Sequence, residues 1–426
     1  MASSPVIHAL KEAPRALPGA GIVLSATGGT SGDVSTSGAD VWEVDVATTL
    51  SGMERLEADW RRLEQEHGDD VHAFQSVDWC LAWGRTFLEK DDGVTPFVIT
   101  VRRSGRLVLL WPLMRCRLGP LRVLCWLSDP FSQYGDVLTA LEGASLMAAM
   151  ERAWWTVRDH SRVDIVRLRH VRDDARARPF LKDFFRRAAW QDGAPWMDLA
   201  QFPSEEAYEK RYTKEQRRRR KRIRKALEKA FGEKLDFGFV PAGEEISENV
   251  ERLVEEKRAW LTKKGLMSRP LANPHLVEFL SRLPADGEGR GLRMVVSCLR
   301  AGEHRISWEL GFRFKGRHYG YITAHERTLT RSSPTRLHME LSQKCALRDG
   351  MRVFDLLVPV APHKKTWSSA VEPVREYFMP LTVAGRILGE TYLRHLRPLL
   401  RRVVERLPRD LRVKACGWRP DMNLHL

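Results

Sequence analysis

Residues 306–367 read ISWELGFRFKGRHYGYITAHERTLTRSSPTRLHMELSQKCALRDGMRVFDLLVPVAPHKKTW. The part before the first serine pair alternates aromatic and polar residues, which is the period-2 pattern of two half-buried strands. Pro334 then stands in the first turn of a predicted helix, which Asp349-Gly350 ends. An apolar strand over 351–357 follows, and a basic loop over 363–367 closes the stretch. Two strands, a helix and a further strand in this order predict an α/β fold.

The start of that helix is a candidate anion-binding site. A helix N-terminus presents free backbone N–H groups and the positive end of the helix dipole, so it can bind phosphate. Here Ser332 and Ser333 are candidate caps, and Arg331 and Arg336 flank the terminus. An ordinary capped helix with solvated arginines explains the same residues, and the sequence leaves both interpretations open.

The composition is that of a globular protein. The chain has 426 residues, 43% hydrophobic and 29% charged, which allows two or three domains with sizeable cores. Its longest strongly apolar run, 107–114, is too short to cross a bilayer, and residues 1–50 lack the pattern of a secretory signal. The six cysteines include no close pair of metal-ligand spacing. We therefore expect a cytoplasmic protein without a transmembrane segment, structural disulfides or a metal, and the composition leaves its oligomeric state open.

The net charge of +15 favours anionic partners without choosing among nucleotides, nucleic acids and acidic lipids or polymers. The densest charge lies at 217–225, which is basic at every position except Ile223, inside a helix predicted over 205–231. This run predicts either a polyanion site or a solvated helix with a narrow apolar stripe. No aromatic residues are interleaved with the charges, which disfavours base stacking and hence a nucleic-acid partner.

The order of predicted elements repeats along the chain. The first half has strands over 96–103, 106–115 and 121–127, a helix over 141–160 and a strand over 163–168. The second half has strands over 293–299, 306–314 and 318–323, a helix over 334–348 and a strand over 351–357. Tyr134-Gly135 precedes the first of these helices, as Tyr319-Gly320 precedes the second. An internal duplication is the economical explanation.

Five parts are predicted along the chain. They are a disordered leader over 1–40, an N-terminal half over 41–200, a basic linker helix over 201–233, a C-terminal half over 234–382, and a basic C-terminal helix and tail over 383–426.

An ordered set of motifs spans roughly residues 42–395. The motifs are Phe74-Gln75-Ser76 with Trp79 and Trp83, Ser128-Asp129 with Tyr134-Gly135-Asp136, a basic helix ending in Leu227-Glu228-Lys229, Ser333-Pro334-Thr335 with Leu337, Gly350 with Phe354-Asp355-Leu356, and Lys364 with Trp367. The set resembles the GNAT-like acetyltransferase family related to the cellulose-biosynthesis protein CelD. The resemblance implies a tandem GNAT fold, α/β with two mixed sheets flanked by helices, similar to that of Fem-type aminoacyltransferases. It also implies that the second half is catalytic and holds the acyl donor.

Two positions depart from that family. Thr335 stands where the family usually has glycine, and His363 stands where it usually has tyrosine. Both positions bear on the shape of the expected pocket, so the resemblance supports the fold more strongly than it supports acetyl-CoA.

Acyl transfer requires a base, hydrogen-bond donors for an oxyanion and a cradle for phosphates. The cofactor-binding candidates are Arg331, Ser332, Ser333, Thr335, Arg336 and Leu337. The catalytic candidates are Glu309, Asp355, Lys364 and Tyr321, and the substrate-binding candidates are Tyr134, Tyr319, His363 and Trp367. An acid in an apolar strand is costly unless it is paired or reaches a cleft, which directs attention to Asp355. Plainer interpretations are a solvent-facing Glu309, a surface His363 and aromatic residues that only pack.

We therefore expect an acyltransferase that moves an acyl group from acyl-CoA to an amine or hydroxyl, with acetyl as the first candidate for that group. The expected acceptor is a polar molecule such as an amino sugar or an exopolysaccharide precursor, and no metal is expected. A second hypothesis is a Fem-like transferase that uses aminoacyl-tRNA, in which the basic helix would bind the tRNA. A third is a non-catalytic scaffold in polysaccharide assembly, and a fourth is a DNA-binding protein, for which no recognition helix is identified.

Overall fold

The computed structural model describes residues 41–90, 93–241, 243–266, 268–285, 291–329 and 334–406. Thirteen strands in these ranges form one mixed sheet. They are β1 (Trp42–Ala47), β2 (Thr95–Arg103), β3 (Arg106–Leu118), β4 (Leu121–Trp126), β5 (Leu138–Thr139), β6 (Ile165–Arg172), β7 (Arg186–Asp198), β8 (Leu235–Phe239), β9 (Arg293–Ala301), β10 (His304–Phe314), β11 (Arg317–His325), β12 (Val353–Asp355) and β13 (Ala370–Pro380). The predicted leader and the tail beyond residue 406 lie outside the described residues.

Helices flank this sheet. They are α1 (Leu50–Arg55), α2 (Glu57–His67), α3 (Val77–Phe87), α4 (Gly143–His160), α5 (Arg178–Phe184), α6 (Glu205–Lys210), α7 (Lys214–Phe231), α8 (Glu244–Lys264), α9 (Arg269–Ala272), α10 (Leu276–Ser281), α11 (Pro334–Arg348), α12 (Pro362–Lys365), α13 (Val383–Arg386) and α14 (Arg397–Arg406). Short 3-10 turns lie at Ala73–Gln75 and Arg327–Leu329, and a π-helical segment at Ile387–Leu396 joins α13 to α14. None of the described helices is both long enough and apolar enough to span a membrane.

Two copies of one unit build the sheet. In each copy three antiparallel strands are followed by a helix, and a fourth strand then pairs in parallel with the third. The copies are β2-β3-β4-α4-β6 and β9-β10-β11-α11-β12. Parallel neighbours require a crossover of this kind, which the long helices provide. The repeat of element order predicted from the sequence is present in the structure.

The two units exchange one strand each. β7 follows β6 in the chain but pairs with β12, and β13 follows β12 but pairs with β6. β13 and β7 also pair with each other, in antiparallel register from Ala370↔Trp196 to Phe378↔Arg186. The sheet order is therefore β1-β2-β3-β4-β6-β13-β7-β12-β11-β10-β9-β8, with β5 beside β3. The two sheets expected from the sequence are joined into one by this exchange.

A buried tryptophan, Trp79 of α3, joins the two units. Ser76 caps α3 by accepting a hydrogen bond from the Trp79 backbone N–H. The Trp79 ring packs edge-on against Phe279 of α10 and Phe312 of β10, with centroids 4.8 and 5.3 Å away. Edge-to-face aromatic pairs at these distances are favourable beyond the area they bury. The motif at 74–76 thus positions a side chain of the first unit inside the second.

The helix predicted over 205–231 is interrupted, and the prediction of one continuous helix is wrong. α6 ends at Lys210 and α7 begins at Lys214. Between them, the Thr213 side chain accepts from the Gln216 N–H, and the Gln216 side chain accepts from the Thr213 N–H. This capping box satisfies orphan donors and favours a new helix start at this point.

The C-terminal helical segment, defined as α13, the π-helical segment and α14, lies directly on the sheet. Gly385 and Gly389 make this close approach possible. A Cβ on Gly385 would lie 1.8 Å from the Asp164 carbonyl oxygen, and one on Gly389 would lie 2.4 Å from the Phe378 ring. Leu393 is fully buried in the core. Within the basic C-terminal part predicted over 383–426, the described residues thus form three consecutive helical segments, which are anchored by one face.

Candidate active site

β11 and β12 run side by side for a short distance and then separate. Their register is Arg317↔Val353, His318↔Phe354 and Tyr319↔Asp355. β11 continues to His325, whereas the chain after β12 turns to β7, where the Leu356 N–H donates to the Pro195 carbonyl at 2.9 Å. An unpaired strand edge of this kind is a template for an extended ligand. We call the space between residues 320–325 and 356–365 the β11–β12 opening.

A β-bulge lies in β11 beside this opening. Leu310 pairs with Ile322, but the next residue, Gly311, pairs with Gly320, so Tyr321 is the extra residue. A bulge leaves the extra residue unpaired in the ladder. The Tyr321 backbone N–H is therefore a candidate donor for negative charge that develops on a bound carbonyl oxygen.

Glu309 of β10 and His318 of β11 form a buried pair next to the bulge. The His318 Nε2 atom lies 3.1 Å from the Glu309 Oε1 atom, and the two side chains are 2% and 1% exposed. Gly311 leaves room for the pair, because a Cβ at this position would lie 2.8 Å from His318 Nε2. Among the described residues, Glu309 Oε2 and His318 Nδ1 have no hydrogen-bond partner. Glu309 does not face solvent, and it keeps one acceptor atom unused.

Asp355 lies at the centre of a closed ionic network. Its side chain is fully buried, and its Oδ1 atom accepts from the Tyr134 hydroxyl at 2.7 Å and from the Leu357 N–H at 2.8 Å. Its Oδ2 atom accepts from Arg317 at 3.0 Å and lies 3.6 Å from an Arg172 guanidinium nitrogen. The Asp355 carboxylate therefore accepts three hydrogen bonds from the protein and lies beside a second guanidinium group. This arrangement favours a positioning role for Asp355, whose contacts with Tyr134 and Arg172 link the two units.

The three predicted tyrosines all donate to protein carbonyl or carboxylate oxygens. Tyr134 reaches Asp355 across the boundary of the units, and burial together with that carboxylate raises the pKa of Tyr134 well above its ordinary value. The Tyr319 hydroxyl donates to the Asp70 carbonyl, and the Tyr321 hydroxyl donates to the Phe131 carbonyl at 2.9 Å. Burial raises the pKa of Tyr321 as well. Of the three, only Tyr321 is partly exposed, which leaves it as the tyrosine best placed to meet a ligand.

Five basic side chains surround the opening, and we call them the cationic cluster. They are Lys257 of α8, His325 at the end of β11, Arg336 in the first turn of α11, and His363 and Lys364 of α12. Burial lowers the pKa of Lys364 to about 8 and also lowers the pKa of Lys257. Partial burial and the charges of Lys364, Lys257 and Arg336 lower the pKa of His363. Burial and the charge of Lys257 lower the pKa of His325. Cations that repel one another in this way are stabilised by a bound anion.

The Lys364 ammonium group is fixed at the edge of the opening. Its Nζ atom donates to the Leu357 carbonyl at 2.9 Å. Because the Leu357 N–H donates to Asp355, the buried network and Lys364 are held by the same short segment. The structure therefore brings together Tyr134, Asp355 and Lys364, which the sequence placed far apart.

The predicted phosphate cradle at the start of α11 is described in part. Three of its residues, Arg331, Ser332 and Ser333, lie outside the described part of the chain. Thr335 is partly exposed and Arg336 is exposed in the first turn of the helix. The Leu337 side chain is buried in a cluster with Leu227, so only its backbone remains available to a ligand.

Trp367 is part of a separate core cluster. Its ring lies 5.7 Å from that of Tyr212, and its carbonyl accepts from the Gln343 side chain at 2.8 Å. The guanidinium of Arg220, the one buried arginine of the basic run at 217–225, lies 5.8 Å from the same ring. Trp367 therefore anchors the chain that follows α12, and its burial agrees with the plainer interpretation of a packing residue.

Sequence reasoning missed Arg172, His325 and three further residues of this site: Lys257, Arg317 and His318. Lys257 lies in a helix without any recognised motif, and its position depends on how α8 lies over β11. The alternation of β11 was the available signal for the other two, since His318 lies on the sheet face opposite Tyr319. Nothing in the local sequence indicates that His318 meets Glu309, because the bulge sets that contact.

A cavity of about 910 Å³ lies at the start of α8 and is lined by charges of both signs. Its lining residues are Asp236, Glu245, Glu248, Arg252, Arg300, Gly302, Glu303, His304, Arg305, Trp308 and Glu326. Arg300 and Arg305 lie 3.7 and 3.8 Å from the Glu245 carboxylate. Because these charges balance one another, the cavity suits an anionic ligand less well than the cationic cluster does.

Residues 217–365 match the family model described as an acetyltransferase (GNAT) domain. The matched range contains β11, α11, β12 and the cationic cluster. This part of the chain is therefore similar to a GNAT acetyltransferase domain. The match confirms the predicted enzyme class, an N-acyltransferase of the GNAT type. The relationship to CelD proteins stays a prediction, and no curated protein matches the chain in sequence.

Solved structures resemble this fold at low sequence identity. FemX superposes with a TM-score of 0.53 and 12% identity over 78% of this chain and 98% of FemX. L-PGS from Bacillus licheniformis superposes with a TM-score of 0.48 and 11% identity, over 80% of this chain and 97% of L-PGS. A tandem GNAT protein from the clavulanic acid biosynthesis pathway superposes with a TM-score of 0.45 and 11% identity, over 80% of this chain and 99% of that protein. The FemX match and the domain match confirm the predicted fold class. Within the described ranges, no group of three or more His, Cys, Asp or Glu side chains is arranged to bind a metal ion.

Proposed function

We propose that the protein transfers an acyl group from acyl-CoA to an amine or hydroxyl of a polar acceptor in the cytoplasm. Acetyl is the first candidate for the acyl group. The proposed acceptor is an amino sugar or a precursor of an exopolysaccharide. The observation that carries the proposal is the cationic cluster at the β11–β12 opening. In this proposal residues 234–382 hold the donor, and residues 41–200 position the acceptor.

The residues at the opening fit the parts of an acyl-CoA. Bound acyl-CoA supplies an activated acyl group and a thiolate leaving group. Lys257, Arg336 and His363 would bind its phosphates, together with the N-terminus of α11. The unpaired edge at 320–325 would pair with the amides of its extended arm. The Tyr321 N–H and the Lys364 ammonium would hold the negative oxygen that develops during transfer.

The Glu309–His318 pair and the Tyr321 hydroxyl would transfer the protons. Glu309 Oε2 is the acceptor atom with unused capacity, so the Glu309–His318 pair would take the proton that the attacking amine or hydroxyl loses. The Tyr321 hydroxyl, now bonded to the Phe131 carbonyl, would give its proton to the departing thiolate. One proton is thus taken from the acceptor and one is given to the leaving group, while a C–S bond breaks and a C–N or C–O bond forms.

Calorimetric titration with acetyl-CoA and longer acyl-CoAs tests the donor. Lys364→Met and Lys257→Met should each weaken binding at least about tenfold, because each removes a charge-assisted contact to phosphate or carbonyl oxygen. Lys365→Met is the matched control, since Lys365 is the exposed neighbour of Lys364 and should bind like the wild type. A folded protein that binds no acyl-CoA would overturn the proposal.

The pH dependence of transfer tests the role of Lys364. With a pKa of about 8, the Lys364 ammonium loses its proton above that pH, so kcat/KM should fall on the alkaline side. Lys364→Arg keeps the charge at all of these pH values, and its alkaline limb should move upward. An active Lys364→Arg enzyme with an unchanged limb would show that another group titrates.

A second candidate function is transfer from aminoacyl-tRNA. The observation that favours it is α7, where Arg218, Arg219 and Arg222 are exposed on one helix within the matched range. Binding of tRNA that weakens steeply with salt, without acyl-CoA binding, would support this candidate. A folded protein that binds neither donor would support a scaffold in polysaccharide assembly instead.

A further inference from the structure

The C-terminal helical segment presents large apolar side chains to solvent. The exposed fractions are 76% for Val383, 62% for Ile387, 44% for Leu396, 55% for Leu399, 45% for Leu400 and 57% for Val403. These six make up more than half of the exposed large hydrophobic residues in the described chain, which are eleven in all. Contiguous apolar surface of this kind marks an interaction site.

Three of these residues, Leu399, Leu400 and Val403, lie on α14, and Leu396 directly precedes it. Leu396, Leu399, Leu400 and Val403 recur at i, i+3, i+4 and i+7, the spacing of an amphipathic helix. We call this face the apolar stripe. Its four residues are exposed, whereas Leu393, earlier in the segment, is buried in the core. The segment therefore has buried apolar side chains where it lies on the sheet and apolar side chains towards its end that the described protein leaves exposed.

Ionic contacts hold the stripe in a fixed place. Arg397 donates to the fully buried Glu376 at 2.7 Å, and Arg167 donates to the same carboxylate at 2.6 Å. Burial alone would raise the pKa of Glu376, but these guanidinium groups hold it at about 2. Removing a partner from such a triad leaves a buried charge without compensation. The stripe thus projects from a rigid base.

Basic residues flank the stripe. Arg386, Arg394, Arg402 and Arg406 are exposed on the same segment. Two copies of this segment would bring like charges together, which disfavours self-association through the stripe. An apolar face bordered by arginines is instead complementary to a surface with an apolar interior and anionic headgroups.

We propose that the apolar stripe and its arginines bind the surface of an anionic lipid bilayer. The segment lies in the plane of the interface, with Leu399 and Val403 inserted among the acyl chains and Arg402 and Arg406 at the headgroups. The sheet remains outside the bilayer, held by the anchoring face. This inference rests on the segment alone and is independent of the proposed acyl transfer.

Vesicle co-sedimentation of the full-length protein tests the proposal. The wild type should sediment with phosphatidylcholine vesicles that contain phosphatidylglycerol and remain free with phosphatidylcholine alone. The Leu399→Glu, Val403→Glu double variant should bind at least about tenfold more weakly, because two apolar side chains no longer insert. Arg402→Glu, Arg406→Glu should lose the preference for anionic vesicles. Leu266→Glu is the matched control, with a side chain 45% exposed elsewhere, and should bind like the wild type.

A different occupant of the stripe would give a different result. If residues 407–426 cover it, no vesicle is bound and the double Glu variant melts at a lower temperature. If a second copy covers it, sedimentation shows a dimer that the same variant dissociates, again without vesicle binding. Either result, or binding by the double variant equal to that of the wild type, overturns the proposal.

Discussion

Replacing Asp355 with asparagine separates a positioning role from a role as the base. The substitution keeps the shape of the side chain and an oxygen for the Tyr134 hydroxyl and the Leu357 N–H. It removes the charge that Arg317 contacts at 3.0 Å and that Arg172 approaches at 3.6 Å. Breaking a buried ion pair by neutralising one partner costs about 3–5 kcal/mol, since the other charge stays buried. We expect a loss of this size in the free energy of unfolding.

Denaturant unfolding measures that loss, and two variants calibrate it. Tyr134→Phe removes one hydrogen bond to the carboxylate and should cost about 1.5–3 kcal/mol. Asp349→Asn removes a pair with Arg313 at 2.6 Å near the surface, and it should cost no more than about 1 kcal/mol. Asp355→Asn combined with Tyr134→Phe should cost less than the sum, since both act on one network. If Asp355→Asn costs under about 1 kcal/mol and yet abolishes acyl transfer, Asp355 is the base and the network argument is refuted.

Two more predictions concern the first half of the chain. Burial raises the pKa of the Glu64 carboxyl from its ordinary value of 4.5 to about 7. The contribution of Glu64 to the free energy of unfolding is therefore full below pH 4.5 and is lost as the pH rises through 7. Glu64→Gln, which resembles the protonated form, should flatten the fall in stability between pH 5 and 8 by up to about 3 kcal/mol, and denaturation midpoints at several pH values show whether it does. A Cβ on Gly135 would lie 2.1 Å from the Trp126 indole nitrogen, so Gly135→Ala should cost about 1–3 kcal/mol. An unchanged thermal midpoint for Gly135→Ala would contradict this packing.

Local patterns were enough to predict most elements of the fold. The alternation in β10 and β11 and the proline at the start of α11 identified the unit that both halves share. The break between α6 and α7 was missed because the apolar spacing of the sequence continues across it, whereas a capping box at Thr213 starts a new helix there. The strand exchange was also missed, since pairing between residues far apart in the chain leaves no local periodicity.

The candidate site could be predicted residue by residue but not as an arrangement. An acid in an apolar strand had to be paired or to reach a cleft, and Asp355 is paired with arginines. Its arginine partners could not be named because they come from β6 and β11, which only the fold brings close to β12. Glu309 was named for the same reason, whereas His318 was missed because a one-residue bulge decides what Glu309 contacts.

The exchange of β7 and β13 determines when the protein can fold during synthesis. On the ribosome, β6 appears early, but the strand that covers its edge is made about two hundred residues later. β7 likewise has no place to pair until β12 has emerged. An uncovered edge of this kind invites pairing with other nascent chains, and the arginines along β6, Arg167, Arg169 and Arg172, discourage it. A chain that stops before residue 370 therefore leaves both halves open, and the sheet closes only after β13 has been made.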